Sequence, residues 1–573
     1  MFDKKTVIST RFWSVFVAST ASIISAYILT LTDNIVAGQF VGDDAVAAMT
    51  LIFPVITMIL FIAYLISDGL CMMISYAQGN NDRAEVDRLF SLMIILAVGS
   101  GIIFFAALYF LREEFLSFWE ISPHLKFYAN EYYSGIIFLA LLNIVNIFNY
   151  TIFFTDGMEH ACLVASGAAF VVNVVLDIVL SQIIGVRGIG FATTLGTLAS
   201  IFVQVYYLTG GRSQLHFKFY WNLKKTWQGI FYSFYHSVDT LCISILPVLM
   251  SMEVIEYFGE EKLIIVTVAV NLLTLILAIY TGLIDCMQPM VCQYHAENNL
   301  HSVIKTMRLV MTSTVAISLL MTLAGIIFAD FLPAMFGVTD EKLVDEAAVA
   351  MRYFLPFTVF LGCVQMLGNY YIYIEKLNYG AFIKILLLLI LPVAAMFFSG
   401  NFALAIFGRF TMNIFWLSVG SSFLAAYLIN YFWLKARAGL LMIDAKNLSR
   451  QLSYDINATF EEVTALTKKI DADLTRRGVS DKIKNKVVLC VEEFGLHAAE
   501  RAKENIFQLE IAILLDNKIT LIIRDNGAPF DILKTAQEGQ YTFREFFIER
   551  TTSNFLQTNY ISSGDENRVT LQF

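Results

Sequence analysis

Asn173-Val-Val-Leu-Asp177 and, a few residues on, Gly185-Val-Arg-Gly188-Ile-Gly190-Phe-Ala192-Thr193-Thr194 lie in two consecutive apolar runs, 161–182 and 187–209. Each run is close to the length of about 20 residues that a helix needs to cross a bilayer core of about 30 Å. Asn173 and Asp177 are four positions apart, so one helix face carries both. Thr193 and Thr194 come about two turns into the following helix. A carboxylate near the centre of a membrane helix costs roughly 2.5–3.5 kcal/mol on insertion scales, so it usually faces a cavity or a partner. The stretch therefore reads as two adjacent membrane helices with polar groups at one depth.

The whole chain agrees with that reading. Its 573 residues are 57% hydrophobic and only 15% charged, against about 25% charged in soluble proteins. Mean hydropathy is +0.66. Disorder, collagen-like repeats, coiled coils and a wholly soluble enzyme are excluded. The net charge of -9 suggests no surface for nucleic acid. The 7 cysteines form no CxxC pair, so neither a disulfide framework nor a zinc site is indicated. The N-terminus has no cleavable signal pattern, and the first apolar stretch is too long for a signal-peptide core.

Twelve spans are predicted, at 11–38, 44–75, 88–111, 127–155, 161–182, 187–209, 226–255, 262–293, 305–329, 346–374, 379–399 and 404–434. Several hold a proline, Pro54 and Pro289 among them, which frees backbone carbonyls and bends a helix. The loops that hold Lys4, Lys5, Arg83, Lys224, Lys305 and Lys435 belong to the set richer in Lys and Arg. By the positive-inside rule both termini are expected in the cytoplasm, with the chain in the inner membrane. From about residue 440 to Phe573 the composition is that of a soluble protein, enough for one compact cytoplasmic domain.

The spans repeat. Phe40-Val41-Gly42-Asp43-Asp44 matches Tyr257-Phe258-Gly259-Glu260-Glu261, and Ala77-Gln78-Gly79-Asn80-Asn81 matches Tyr294-His295-Ala296-Glu297-Asn298. Both matches fall at one offset, 217 residues. A six-plus-six duplication with two halves of like orientation is a recurring plan of secondary transporters.

Asp33 is the lone charge after Phe12 in the first span and falls in its outer half by helix rise. Read alone it also fits an interfacial helix end. With Asn173, Asp177 and Thr193 it puts two carboxylates, an amide and a hydroxyl at one level. Hard oxygens suit Na⁺ and paired carboxylates suit protons. In the second half, His236 and Asp239 are three apart in the seventh span, an arrangement that can relay a proton. Asp68, Asp156 and Asp285 lie near cytoplasmic helix ends, where solvation accounts for them.

Thr32-Asp33-Asn34, Gly42-Asp-Asp-Ala-Val-Ala-Ala48, the 173–193 pattern and Gln288-Pro289 resemble MATE (multidrug and toxic compound extrusion) transporters over residues 10–435. The resemblance implies a polytopic all-α membrane protein: a six-helix lobe at 10–210, a second at 226–435, and a central cavity. It implies an antiporter, not an enzyme, that exports amphipathic, cationic organic compounds for Na⁺ or H⁺. The family's cation site carries over to Asp33, Asn173, Asp177 and Thr193, with Asp33, Asn173 and Asp177 as Na⁺ ligands. Some members bend the first helix at a proline, which this first span lacks.

In the tail, Val491-Glu492-Glu493-Phe-Gly-Leu-His497 reads as helical, Leu509–Leu515 and Ile519–Ile523 as a strand pair, followed by Arg524-Asp525-Asn526-Gly527. This resembles the GHKL ATPase fold, especially anti-sigma-factor serine kinases, as a cytoplasmic α+β sandwich over 440–573. Glu493, Asp525 and Gly527 match the nucleotide boxes, but His497 replaces the asparagine that helps hold Mg²⁺. A single glycine, Gly539, stands in the phosphate loop expected at 539–548. A regulatory domain without ATP turnover is expected, with a cytoplasmic regulatory protein as its partner. His497 beside two glutamates reads as structural. Two alternatives are a lipid-linked oligosaccharide flippase of related fold and a membrane-anchored sensor kinase. The first wants clustered basic residues, and the spans have almost none. The second wants intact nucleotide boxes and no repeat.

Overall fold

A computed structural model describes residues 5–117, 122–210, 213, 215–335, 340–407, 410–435, 439–502, 507–516, 518–527, 555, 557–563 and 566–573. Among these, twelve helical stretches are long and apolar enough to cross a membrane. The protein is a multi-pass membrane protein with a small antiparallel sheet at its C-terminus.

The first six spans are built from α1 (Val7–Val36), α2 (Asp43–Gly79), α3 (Arg83–Phe110), α4 (Pro123–Ile136) with α5 (Leu139–Asp156), α6 (Glu159–Ile184) and α7 (Val186–Thr209). The second six use α8 (Leu223–His236) with α9 (Val238–Phe258), α10 (Leu263–Ala296) and α11 (Leu300–Ile327). They continue through α12 (Glu341–Phe354) with α13 (Thr358–Tyr373), α14 (Leu377–Ile385) with α15 (Leu391–Phe407), and α16 (Met412–Lys435). Several boundaries differ from the hydropathy reading. The fourth span breaks between Ile136 and Leu139, and the seventh breaks at Ser237 (φ -89°, ψ 6°). The twelfth starts at Met412, because α15 continues the eleventh to Phe407. A run of apolar residues registers burial in lipid but not a turn within it, so hydropathy fuses such pieces.

The first span leaves regular α-helix near its end without a proline. A π-helical turn, Ala37–Val41, follows Asp33 closely, and another, Leu386–Ile390, follows Lys384. Single π turns interrupt the regular ladder and recur at functional sites.

The halves meet in that part of the bundle nearest the tail. Tyr76 Oη donates to the Tyr373 carbonyl at 2.8 Å, and Gly69 N–H to Ser233 Oγ at 2.6 Å. Ser19 donates to Asp285. α2 and α8 approach so closely that a methyl on Gly69 would stand 1.9 Å from the Gly229 carbonyl oxygen.

The tail holds a sheet of order β1 (Gln451–Asn457), β2 (Gln508–Leu515), β3 (Ile519–Asp525), β5 (Glu566–Gln572), β4 (Gln557–Ser563), every neighbouring pair antiparallel. Side chains alternate across a strand. Leu509, Ile511 and Ile513 therefore share a core with Leu466, Ile470 and Val491 of α17 (Phe460–Arg476) and α18 (Asp481–Arg501). Gln508 and Glu510 point to the opposite face, which is turned to the helix bundle.

Candidate functional site

The hairpin of α6 and α7 carries most of the first cluster. It turns at Gly185, whose φ of +61° is left-handed and costs glycine little. α7 then packs close on α6. A Cβ on Gly196 would lie 3.0 Å from both the Asn173 Cβ and the Ala169 carbonyl oxygen. That closeness brings Thr193 to Asn173. Gly196→Val is expected to push the helices apart, costing roughly 1–3 kcal/mol by overpacking. It is checked by thermal unfolding in detergent, with Gly196→Ala as a milder member of the series.

Asp33 comes to this hairpin from α1. Thr193 Oγ1 donates to Asp33 Oδ2 at 3.2 Å, and Asn173 Nδ2 donates to Thr193 Oγ1 at 3.3 Å. The Asp33 and Asp177 carboxyls lie within interaction reach of each other. Asp33 is 7% exposed, Asn173 1% and Asp177 0%. All four sequence-derived residues thus converge. Thr194, read at the same depth, turns instead to the Gly135 carbonyl at 3.1 Å. Asp33 Oδ1, Asn173 Oδ1 and both Asp177 oxygens are buried without a hydrogen-bond partner among the described residues. Buried oxygens seldom go unpaired, and this set has the hardness and crowding that suit a small cation or a proton. Among the described residues, no three or more His, Cys, Asp or Glu cluster as metal ligands.

The expected pairing of His236 with Asp239 is not what forms. His236 Nδ1 lies 3.0 Å from Asp68 Oδ2 on α2, and its Nε2 lies 2.9 Å from Tyr373 Oη. Asp239 pairs with Lys384 at 3.3 Å, and Lys384 Nζ also donates to the His236 carbonyl at 2.5 Å. The helix break at Ser237 is the reason: it ends α8 at His236 and starts α9 at Val238, so three-residue spacing no longer means one face. Asp68 is likewise not solvated but 6% exposed, and Gln288 Nε2 donates to its carbonyl at 3.0 Å. Asp156 is 4% exposed and accepts from Ser213 at 3.1 Å. Lys384, fully buried, is the residue that hydropathy passed over. Its sequence signal is a lone cation in an otherwise uncharged span.

In the tail, Asp525 is partnered by the protein's own side chains and backbone. Arg501 Nη2 reaches both oxygens of Asp525 at 3.1 Å. Asp525 Oδ1 also accepts from Gly527 N and Asn567 Nδ2, each at 2.9 Å. The Asp525 carboxylate is thereby partnered on both oxygens inside the domain. Glu493 and the 7% exposed His497 stand on α18. The phosphate loop expected at 539–548 lies outside the described residues.

Twelve spans in two like halves, with buried oxygens clustered between α1, α6 and α7, define a membrane carrier. The MatE family model matches residues 18–179 and again 237–398. The chain belongs to the MATE family of transporters. Its fold is similar to a MATE structure in the bent conformation (TM-score 0.67, 17% identity, 75% of this chain and 95% of that one). It is similar also to an outward-facing multidrug resistance MATE family transporter of the MOP superfamily (TM-score 0.68, 17% identity, 76% and 96%). A MOP superfamily transporter from Pyrococcus furiosus, described as having a binding pocket of reverse polarity, matches at TM-score 0.68 and 17% identity, with 76% and 96% covered. No curated protein matches the sequence.

Proposed function

We propose that the protein is a secondary antiporter that exports amphipathic organic cations in exchange for Na⁺ or H⁺. It would work from the inner membrane with both termini in the cytoplasm. The observation that carries this reading is the set of unpartnered oxygens on Asp33, Asn173 and Asp177. Two carboxyls close to each other in a buried site repel unless a proton or a cation sits with them. A site that takes either one releases it when the other face of the membrane is presented, and that exchange is the coupling. The halves 10–210 and 226–435 would be the rocking lobes, with substrate held between them. Aromatic faces and few carboxylates favour cations.

The test is transport in inverted vesicles with Na⁺ and pH gradients imposed separately. Uptake of an amphipathic cation driven by one gradient is expected, and uptake of anions alone would favour the flippase reading. The tail would be a regulatory domain of GHKL type that does not turn over ATP. Titration of the full-length protein with Mg-ATP is expected to show millimolar or weaker affinity, because Arg501 and Asn567 hold Asp525. Micromolar binding with turnover would overturn that.

A further inference from the structure

The sheet face turned to the bundle is charged and buried. Strand register sets Glu510 opposite Arg524, and Arg524 opposite Arg568. Arginines directly opposite on one face repel, and buried charges need partners. Arg524 takes Glu510 at 3.2 Å and Glu566 at 3.1 Å from its own sheet. Arg568 takes its carboxylate from outside the tail: Glu297, in the turn between α10 and α11, which also pairs with Arg524. Glu297 and both arginines are buried, with side chains at most 2% exposed. Burial alone would push the Glu297 carboxyl up, but the two guanidiniums more than reverse this and hold it below the usual carboxylate range.

Arg568 touches the other half as well. Its Nη2 donates to the Gln78 carbonyl at the end of α2 and to Asn81 Oδ1 at 2.9 Å. One guanidinium thus holds the α2–α3 turn with one nitrogen and the α10–α11 turn with the other. These are the two turns matched in sequence at the 217-residue offset, and Asn81 and Asn298 share a left-handed φ, 59° and 60°. The duplication sets two like turns side by side, and the sheet caps both.

The flanks repeat the arrangement. On the first half, Arg11 pairs with Glu566 at 2.8 Å and Arg83 donates to the Tyr560 carbonyl at 2.6 Å. On the second, Lys305 pairs with Asp455 at 2.7 Å, and Gln451 Nε2 donates to the Asn298 carbonyl at 2.7 Å. Opening the tail-side mouth by rocking the halves must draw the two turns apart, and Arg568 cannot follow both.

We propose that the tail is a clamp. Docked, its sheet holds the tail-side mouth of the carrier shut, and the mouth opens only when the sheet lets go of at least one half. This rests on the alternating-access antiporter reading above.

Cys292 supplies the reporter. It is 0% exposed on α10, close to the tail-side end and beside Tyr76 of the other half. Full-length wild type, E297Q, R568Q and K305E are compared in inverted vesicles with a form lacking residues 440–573. Labelling of Cys292 by a membrane-impermeant maleimide and gradient-driven transport are both followed. K305E touches only the half-exposed rim and covers the case in which a core variant fails to fold. The expected result is labelling several-fold faster in E297Q, R568Q and K305E than in wild type, with an altered transport rate. Faster labelling after deletion, with all three point variants like wild type, overturns the clamp and leaves a regulatory tail. No change in any form overturns both. Faster labelling in the variants where no form transports upholds the sheet's grip on the two turns and sinks the antiporter reading.

Discussion

Asp177→Asn and Asp33→Asn are each expected to abolish gradient-driven transport while the protein still inserts and folds. Loss of a mere supporting group at an ion site costs about ten- to a hundredfold in affinity, and a direct ligand should cost at least that. The asparagine is close in size to the carboxylate, so packing between α6 and α7 is kept and the charge alone is removed. Asp177 is the sharper case, since both its oxygens are buried and unpartnered. Thr193→Val should act more weakly, because it takes away the hydrogen that Asp33 Oδ2 receives but leaves both carboxyls. The measurement is initial rate in vesicles against an imposed gradient, with membrane insertion as the control. Wild-type rates in both aspartate variants would remove the cluster from the mechanism.

Lys384→Met is expected to lose folded protein. Removing one partner of a buried ion pair costs about 3–5 kcal/mol because the other charge stays behind. Here Asp239 would be left in the membrane, together with the His236 carbonyl that Lys384 also holds at 2.5 Å. The double variant Lys384→Met with Asp239→Asn should recover most of that loss, since no lone charge remains. Thermal unfolding in detergent and yield of inserted protein read both effects. Equal unfolding temperatures for wild type and Lys384→Met would show that the pair contributes nothing to the fold.

Asp33, Asn173, Asp177 and Thr193 are legible in the sequence because their placement needs only helix periodicity and a count of residues from the membrane edge. Both survive folding when a helix is unbroken, as α1, α6 and α7 are around these residues. His236 and Asp239 failed the same argument where the helix is broken, at Ser237. The solvated reading of Asp68 and the omission of Lys384 have a different cause. Their partners, His236 and Asp239, are 168 and 145 positions away, and no local pattern points to a neighbour on another element.

The tail shows the division most clearly. Leu509–Leu515 and Ile519–Ile523 read as a strand pair, and in the structure Glu510, Arg524 and Arg568 line the sheet face opposite the apolar core. Their burial is decided by the membrane helices, through a carboxylate 271 positions from Arg568 in the chain. Composition and periodicity record how each residue relates to solvent and to its own helix or strand, so spans, repeat and strand faces follow from them. Which charges neutralise each other across elements depends on how those elements dock, and only the assembled structure holds that information.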